Sequence, residues 1–147
     1  VEIGAIDDMN WFSKKKKKSN SSPKKWLITK QCLSLISESA KSVYPNEFAG
    51  LLRVDDDRKE VITEVVLIPG TISGNQHALY RMHMKPVDFS IVGTVHSHPS
   101  GSFYPSEADL QLFRKYGRAH IIMARPYSDQ SWQGYDGKGN VLDIRII

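Results

Sequence analysis

Apolar residues between Thr29 and Val43 recur every three or four positions, which is the spacing of one buried helix face. Thr29 can cap the start of such a helix, and Pro45 would end it. The pattern therefore predicts a helix over this segment with an apolar face made of Leu33, Ile36, Ala40 and Val43. A shorter helix is predicted from Ser106 to about Tyr116, with an inward-facing pair and a terminating glycine: Leu110, Phe113 and Gly117.

Short apolar runs separated by turn residues predict the strands of the body. The predicted strands cover residues 47–54, 60–69, 77–84, 90–99, 119–125, 131–136 and 141–147. The acidic run at 55–57 is predicted as the turn of a hairpin between the first two strands, and a glycine-rich turn joins the last two strands. A short helical turn is expected after Pro86. Because strands outnumber helices and the helices separate groups of strands, the predicted fold class is α/β, with one mixed β-sheet flanked by helices.

Composition and charge predict one ordinary globular domain with a charged N-terminal arm. The chain has 147 residues, 40% of them hydrophobic, which suffices for a single core. Residues 1–25 carry seven lysines against three acidic residues, whereas residues 26–147 carry 13 basic and 13 acidic side chains. We therefore predict a flexible basic arm over 1–25 and a folded domain over 26–147 that has no overall basic bias toward nucleic acid. No apolar run suits a membrane span or a secretory signal, so a cytoplasmic location is expected.

The only cysteine and three of the five histidines are interpreted as structural residues. A lone Cys32 excludes an internal disulfide framework and a cysteine-rich zinc cluster, and its apolar neighbours make it a small core residue of the first helix. A catalytic thiol is the alternative, disfavoured because no histidine lies nearby in the sequence. The histidines without metal-like spacing are interpreted as ordinary strand or loop residues: His77, His83 and His120.

Two histidines one residue apart open the segment with the strongest chemical signal, HSHPSGSFYPSEAD (residues 96–109). Residues i and i+2 of a strand point to the same face, about 6.5 Å apart along the chain, so the rings of His96 and His98 can converge on one ion. Ser106 and Asp109 follow, and by themselves they fit a helix-capping box as well as a metal site. Two imidazoles and one carboxylate are a usual ligand set for catalytic zinc, which keeps a fourth position for water.

The spacing His-x-His, seven residues, Ser, two residues, Asp resembles the signature of the JAMM (MPN-plus) metalloproteases, and the short chain is similar to the minimal prokaryotic branch of that family. Members also place a glutamate upstream in a Pro-x-Glu-x-x-Gly setting, which PNEFAGLL (residues 45–52) supplies as Glu47. The resemblance spans residues 27–147. It implies the α/β/α sandwich of that family, which is similar to the cytidine deaminase fold.

The resemblance also implies a role for each motif residue. His96, His98 and Asp109 would bind Zn²⁺, Glu47 would be the general acid/base, and Ser106 would help hold the attacking water and stabilise the tetrahedral intermediate. The implied reaction is hydrolysis of the amide between the C-terminal glycine of a ubiquitin-like or sulfur-carrier protein and a target amine, with no membrane partner.

Two other functions are alternatives at this point. The first is a non-catalytic zinc-binding scaffold, because the family includes degenerate members, although every motif position is intact in this chain. The second is a nucleic-acid-associated protein that uses the lysine-rich arm, which salt-sensitive DNA binding would favour. Zinc nucleoside deaminases use a similar sheet but need a Cys-x-x-Cys, which a chain with one cysteine cannot provide. The sequence does not give the oligomeric state.

Overall fold

The computed structural model describes residues 25–67 and 88–147. In chain order the described elements are β1 Trp26–Ile28, α1 Lys30–Val43, β2 Ala49–Val54, β3 Val61–Leu67, β4 Ile91–His98, α2 Glu107–Lys115, β5 His120–Ala124, β6 Trp132–Tyr135, β7 Val141–Leu142 and β8 Ile144–Ile146. The predicted arm lies outside the described residues except for Lys25, and so does the strand predicted over 77–84 with its two histidines, His77 and His83. After Pro86, residues 89–90 form a turn that leads into β4.

The described strands form one sheet in the order β7-β6-β5-β4-β2-β3-β1-β8. β2 pairs antiparallel with β3, which confirms the predicted hairpin, and β4 runs antiparallel to β2 but parallel to β5. The sheet is therefore mixed, and the predicted α/β class is confirmed. The short strand β1 was not predicted, because three residues are too few to show a periodic pattern.

The segment 141–147, predicted as one strand, is in fact two strands at opposite ends of the sheet. β7 pairs with β6, whereas β8 pairs parallel with β1, and only Asp143 separates β7 from β8. The sheet must therefore curl until its two edges lie side by side. Gly134 of β6 shows how close they come, since a Cβ atom at this position would lie 2.6 Å from Ile144 Cδ1 of β8.

The two helices of the described chain pack on opposite faces of the sheet. α1 shares a core with Leu52 and Ile121, while α2 packs with a directly neighbouring residue on each of these strands, Leu51 and Ile122. This alternation follows from the pleat, which sends successive side chains to opposite faces. The predicted inward positions of both helices are buried (Leu33, Ile36, Ala40 and Phe113) or partly buried (Val43 and Leu110).

Both helices begin at the predicted residues because a side-chain oxygen accepts a free backbone N–H group. Thr29 Oγ1 accepts the Cys32 N–H at 3.1 Å at the start of α1, and Ser106 caps α2 in the same way. Within residues 25–67 and 88–147, no helix has the length and apolar content that crossing a membrane would need.

Candidate metal centre

His96 and His98 lie at the end of β4 and point to the same face of the sheet. β4 pairs in parallel with β5, where Ile122 and Ala124 lie opposite the two histidines. His96 is fully buried, and His98 is partly exposed. Their Nε2 atoms are 3.2 Å apart, so the two-residue spacing on a strand brings the rings together as the sequence predicted.

Asp109 reaches the histidines from the first turn of α2. Ser106 Oγ accepts the Asp109 N–H at 3.1 Å, and the Ser106 N–H donates to Asp109 Oδ2 at 2.9 Å, so the capping box is present. The same carboxylate faces both rings, with Oδ1 3.1 Å from His96 Nε2 and Oδ2 3.1 Å from His98 Nε2. Asp109 is therefore both part of the helix cap and a member of the cluster.

The spacing of these donor atoms suits a small tetrahedral metal ion. Zinc bonds of about 2.0–2.1 Å place neighbouring ligand atoms of a tetrahedron about 3.3–3.4 Å apart. The imidazole nitrogens are 3.2 Å apart, close to that value, and each lies 3.1 Å from one of the two carboxylate oxygens, Oδ1 for His96 and Oδ2 for His98. His96, His98 and Asp109 could thus hold a metal ion through three protein atoms and leave one position for a water or a substrate.

The carbonyl oxygen of Ser102 orients the His98 ring. It lies 2.9 Å from Nδ1, which must donate its proton there, so Nε2 is the nitrogen that faces Asp109. Metal-binding imidazoles usually have such a partner on the second nitrogen. His96 Nδ1 is buried and has no hydrogen-bond partner in the described part of the chain. The His96 ring lies beside the Phe113 ring instead, with 6.3 Å between the ring centroids.

The cluster carries a carboxylate that is held in its ionised form. Burial disfavours the charge, but hydrogen bonds from His96 and His98 outweigh it and hold the pKa of Asp109 well below its ordinary range. Burial also disfavours a charged His98, yet the hydrogen bonds to Asp109 and to the Ser102 carbonyl raise the pKa of this histidine overall. A metal cation at this position would take the place of a proton.

Glu47 approaches the cluster from the residues just before β2. Ala49 pairs with His96 across β2 and β4, and Glu47 precedes Ala49 by two residues, which places both on the same face in an extended chain. Burial raises the pKa of the partly buried Glu47, and the nearby His96 and His98 oppose that shift. Glu47 therefore lies within electrostatic reach of the cluster but is not one of its three converging donors.

Ser106 lies at the exposed rim of the cluster. Its Oγ accepts the Asp109 N–H, and a hydroxyl that accepts one hydrogen bond keeps its own proton for donation. His120 lies outside the cluster, buried on β5, where its ring stacks on Phe113 with 4.5 Å between centroids and its Nδ1 accepts the Thr94 N–H at 3.1 Å. This placement agrees with its interpretation as an ordinary strand residue.

Two residues that hold the cluster in place were not predicted from the sequence, Ser97 and Ser102. Besides the Ser102 carbonyl, Ser97 accepts the Phe48 N–H on its Oγ at 2.7 Å, although the two residues are 49 positions apart in the chain. A serine between two histidines gives no signal of such a bond. The loop that carries Ser102 is itself held by Tyr135, whose phenol donates to the Phe103 carbonyl at 2.7 Å.

Comparisons with known proteins show which family the chain is similar to. A family model described as prokaryotic homologs of the JAB domain matches residues 29–135. A probable metalloprotease from Haloferax volcanii is 39% identical over 127 residues, which cover 82% of this chain and 78% of that protein. The structure of a JAB1/MPN domain protein from Archaeoglobus fulgidus is similar, with 36% identity, a TM-score of 0.66, and coverage of 82% of this chain and 98% of that one. A structure described as JAMM, a metalloprotease-like zinc site in the proteasome and signalosome, has 34% identity, a TM-score of 0.67, and coverage of 84% and 99%.

Proposed function

Because the chain belongs to the family of prokaryotic JAB-domain homologues, we propose that it is a zinc-dependent isopeptidase. The proposed reaction is hydrolysis of the amide that joins the C-terminal glycine of a ubiquitin-like or sulfur-carrier protein to a target amine. The observation that carries the proposal is the convergence of His96, His98 and Asp109 on one point, with donor atoms 3.1–3.2 Å apart. Similarity to a probable metalloprotease and to a metalloprotease-like zinc site supports the metal and the class of reaction.

In this proposal His96, His98 and Asp109 hold Zn²⁺. When bound, zinc polarises a carbonyl oxygen and lowers the pKa of a coordinated water to about 7. The low pKa of Asp109 keeps this carboxylate ionised throughout the neutral range, and the Ser102 carbonyl keeps the His98 Nε2 directed at the same point. The protein therefore presents one negative and two imidazole donors without first having to reorganise them.

Glu47 is the proposed general acid/base. On the same face as His96, it takes a proton from the attacking water and delivers a proton to the leaving amine. Its partial burial helps, because a carboxyl with a raised pKa is a stronger base when ionised and holds the proton longer before passing it on. The Ser106 hydroxyl, oriented by its bond to the Asp109 N–H, donates a hydrogen bond to the oxygen that gains charge in the transition state.

The test is cleavage of a defined conjugate. The purified chain, loaded with zinc, is mixed with ubiquitin-like and sulfur-carrier proteins from the same genome, each joined through its C-terminal glycine to a lysine side chain. Mass spectrometry should show cleavage after that glycine, loss of cleavage with a chelator, and recovery when zinc is added. His98→Ala should abolish zinc binding and cleavage, whereas His120→Gln removes a histidine outside the cluster and should keep both.

Different results would favour the other candidates. Stoichiometric zinc without cleavage of any conjugate in the panel would favour the non-catalytic scaffold. Salt-sensitive DNA binding that disappears when residues 1–25 are deleted would favour the nucleic-acid function, for which the lysine-rich arm is the motivating feature. The cytoplasmic location stays a prediction.

A further inference from the structure

The hydrogen-bond ladder between β2 and β4 ends in an unusual rung at Ser97. Ala49 pairs with His96 and Gly50 with Val95, so the next pair along the ladder is Phe48 with Ser97. In an ordinary hydrogen-bonded antiparallel pair, each residue donates its N–H to the carbonyl of the other. Here the Ser97 N–H donates to the Phe48 carbonyl at 2.8 Å, but the Phe48 N–H donates to the Ser97 hydroxyl at 2.7 Å. A side chain has taken the place of a backbone carbonyl.

The peptide group held by this hydroxyl is the one that joins Glu47 to Phe48. Ser97 and Phe48 are both buried, so the bond is shielded from water, and losing it would leave a buried N–H without its acceptor. Ser97 is also the residue between His96 and His98. Its side chain points to the face opposite the two rings, and its backbone joins them. One hydroxyl thus connects the backbone that carries Glu47 to the backbone that carries both histidines.

We propose that Ser97 is a positioning residue that fixes the Glu47 carboxylate relative to the His96 and His98 rings. The inference rests on the proposed function in so far as it concerns the rate of hydrolysis. Proton transfer requires the carboxylate to lie within hydrogen-bond reach of the water, and a displacement of about 1 Å in such a group can cost on the order of 100-fold in rate. Ser97 makes no contact with substrate in this role and acts through Glu47.

The test compares Ser97→Ala with Ser97→Thr and with Thr29→Ala. Thr29 provides a matched control, because its hydroxyl also accepts a backbone N–H, that of Cys32. This bond lies at the N-terminal end of α1, whereas Glu47 follows the C-terminal end of the helix. Ser97→Ala should keep one zinc per chain, and its Phe48 amide should exchange with solvent at least about 10-fold faster by NMR, because the N–H has lost its acceptor. Its kcat should fall about 10- to 100-fold with little change in KM. Ser97→Thr keeps the hydroxyl and should approach the parent, and Thr29→Ala should lose stability while keeping kcat.

A double-mutant cycle with Glu47→Gln separates positioning from a general structural role. If Ser97 acts through Glu47, adding Ser97→Ala to Glu47→Gln should cost less than about 3-fold. An equal loss in both backgrounds would overturn the proposal, and so would an unchanged Phe48 exchange rate in Ser97→Ala. If the parent cleaves no conjugate, the proposed function fails by itself. The crystal structure of Ser97→Ala then still decides the positioning role, which is refuted if the Glu47 carboxylate does not move.

Discussion

Ser106 and Asp109 hold each other through two hydrogen bonds, and the Asp109 oxygen that accepts one of them also faces His98. Oδ2 lies 2.9 Å from the Ser106 nitrogen and 3.1 Å from His98 Nε2. One side chain therefore completes both the cap of α2 and the cluster with His96 and His98. Because the capping bonds are local to the first turn of the helix, they orient the carboxylate toward the rings independently of the metal.

The double role of Asp109 predicts that its two functions can be separated. In Asp109→Asn the amide oxygen can still accept the Ser106 N–H, but the negative charge is lost. We expect zinc content to fall well below one per chain. The metal-free protein should also lose stability, because the uncharged amide lacks the interactions with His96 and His98 that hold the pKa of Asp109 low. Ser106→Ala should instead keep its zinc and lose only the contribution of the cap, about 1 kcal/mol of stability. Elemental analysis and urea unfolding measure both. Full zinc occupancy in Asp109→Asn would mean that the carboxylate is not a ligand.

The environment of Cys32 predicts an inert thiol. Its side chain is 2% exposed, and burial, together with the negative charge of Glu64, raises the pKa of the thiol to about 12. Because the thiolate is the reactive form, we expect labelling by a thiol reagent at pH 8 to be slow in the folded protein and rapid in denaturant. With one cysteine in the chain the signal is unambiguous. Fast labelling in the folded state, with loss of cleavage activity, would restore the catalytic-thiol alternative.

Much of the fold and of the cluster was predictable because it depends on local spacing. The cap at Thr29 and the two-residue interval between His96 and His98 are read directly from neighbouring residue types. The closure of the sheet was not predictable, since nothing in 141–147 shows that Asp143 separates strands at opposite edges. The bonds that hold the site were missed for a related reason. Backbone acceptors such as the Ser102 carbonyl are present at every residue, so residue types do not mark them.

Buried His120 predicts a loss of stability in acid. Burial lowers the pKa of His120 to about 4, against about 6.5 for an exposed histidine. Below pH 6.5 the unfolded chain takes up a proton on His120, whereas the folded protein does not bind this proton until about pH 4. The stability that depends on a neutral His120 is therefore fully present above pH 6.5 and is lost as the pH falls toward 4. The pKa difference corresponds to about 3 kcal/mol.

The comparison with His120→Gln isolates this effect, because the other titrating groups are shared by both proteins. Urea unfolding of the metal-free parent and variant from pH 7 to pH 4 should show the parent losing about 3 kcal/mol relative to the variant. Glutamine keeps an acceptor for the Thr94 N–H, which limits the cost of the substitution itself. Parallel curves for the two proteins over this range would show that His120 is protonated equally in the folded and unfolded states.

The pH dependence of hydrolysis provides the sharpest test of Glu47. A general base must be ionised, and burial raises the pKa of Glu47, so kcat/KM should rise with pH through a value above the ordinary glutamate pKa of about 4.3. Glutamine has a similar shape but cannot take a proton. Glu47→Gln should therefore keep its zinc, lose about 10²- to 10⁴-fold in kcat/KM at neutral pH, and lose the acid limb of the profile. Glu38→Gln on the exposed surface of α1 is the matched control and should behave like the parent.

Zinc content must be measured at each pH, because protonation of His98 would release the metal and imitate the same limb. Parental activity in Glu47→Gln would rule out Glu47 as the base, and loss of zinc from this variant would make it a ligand.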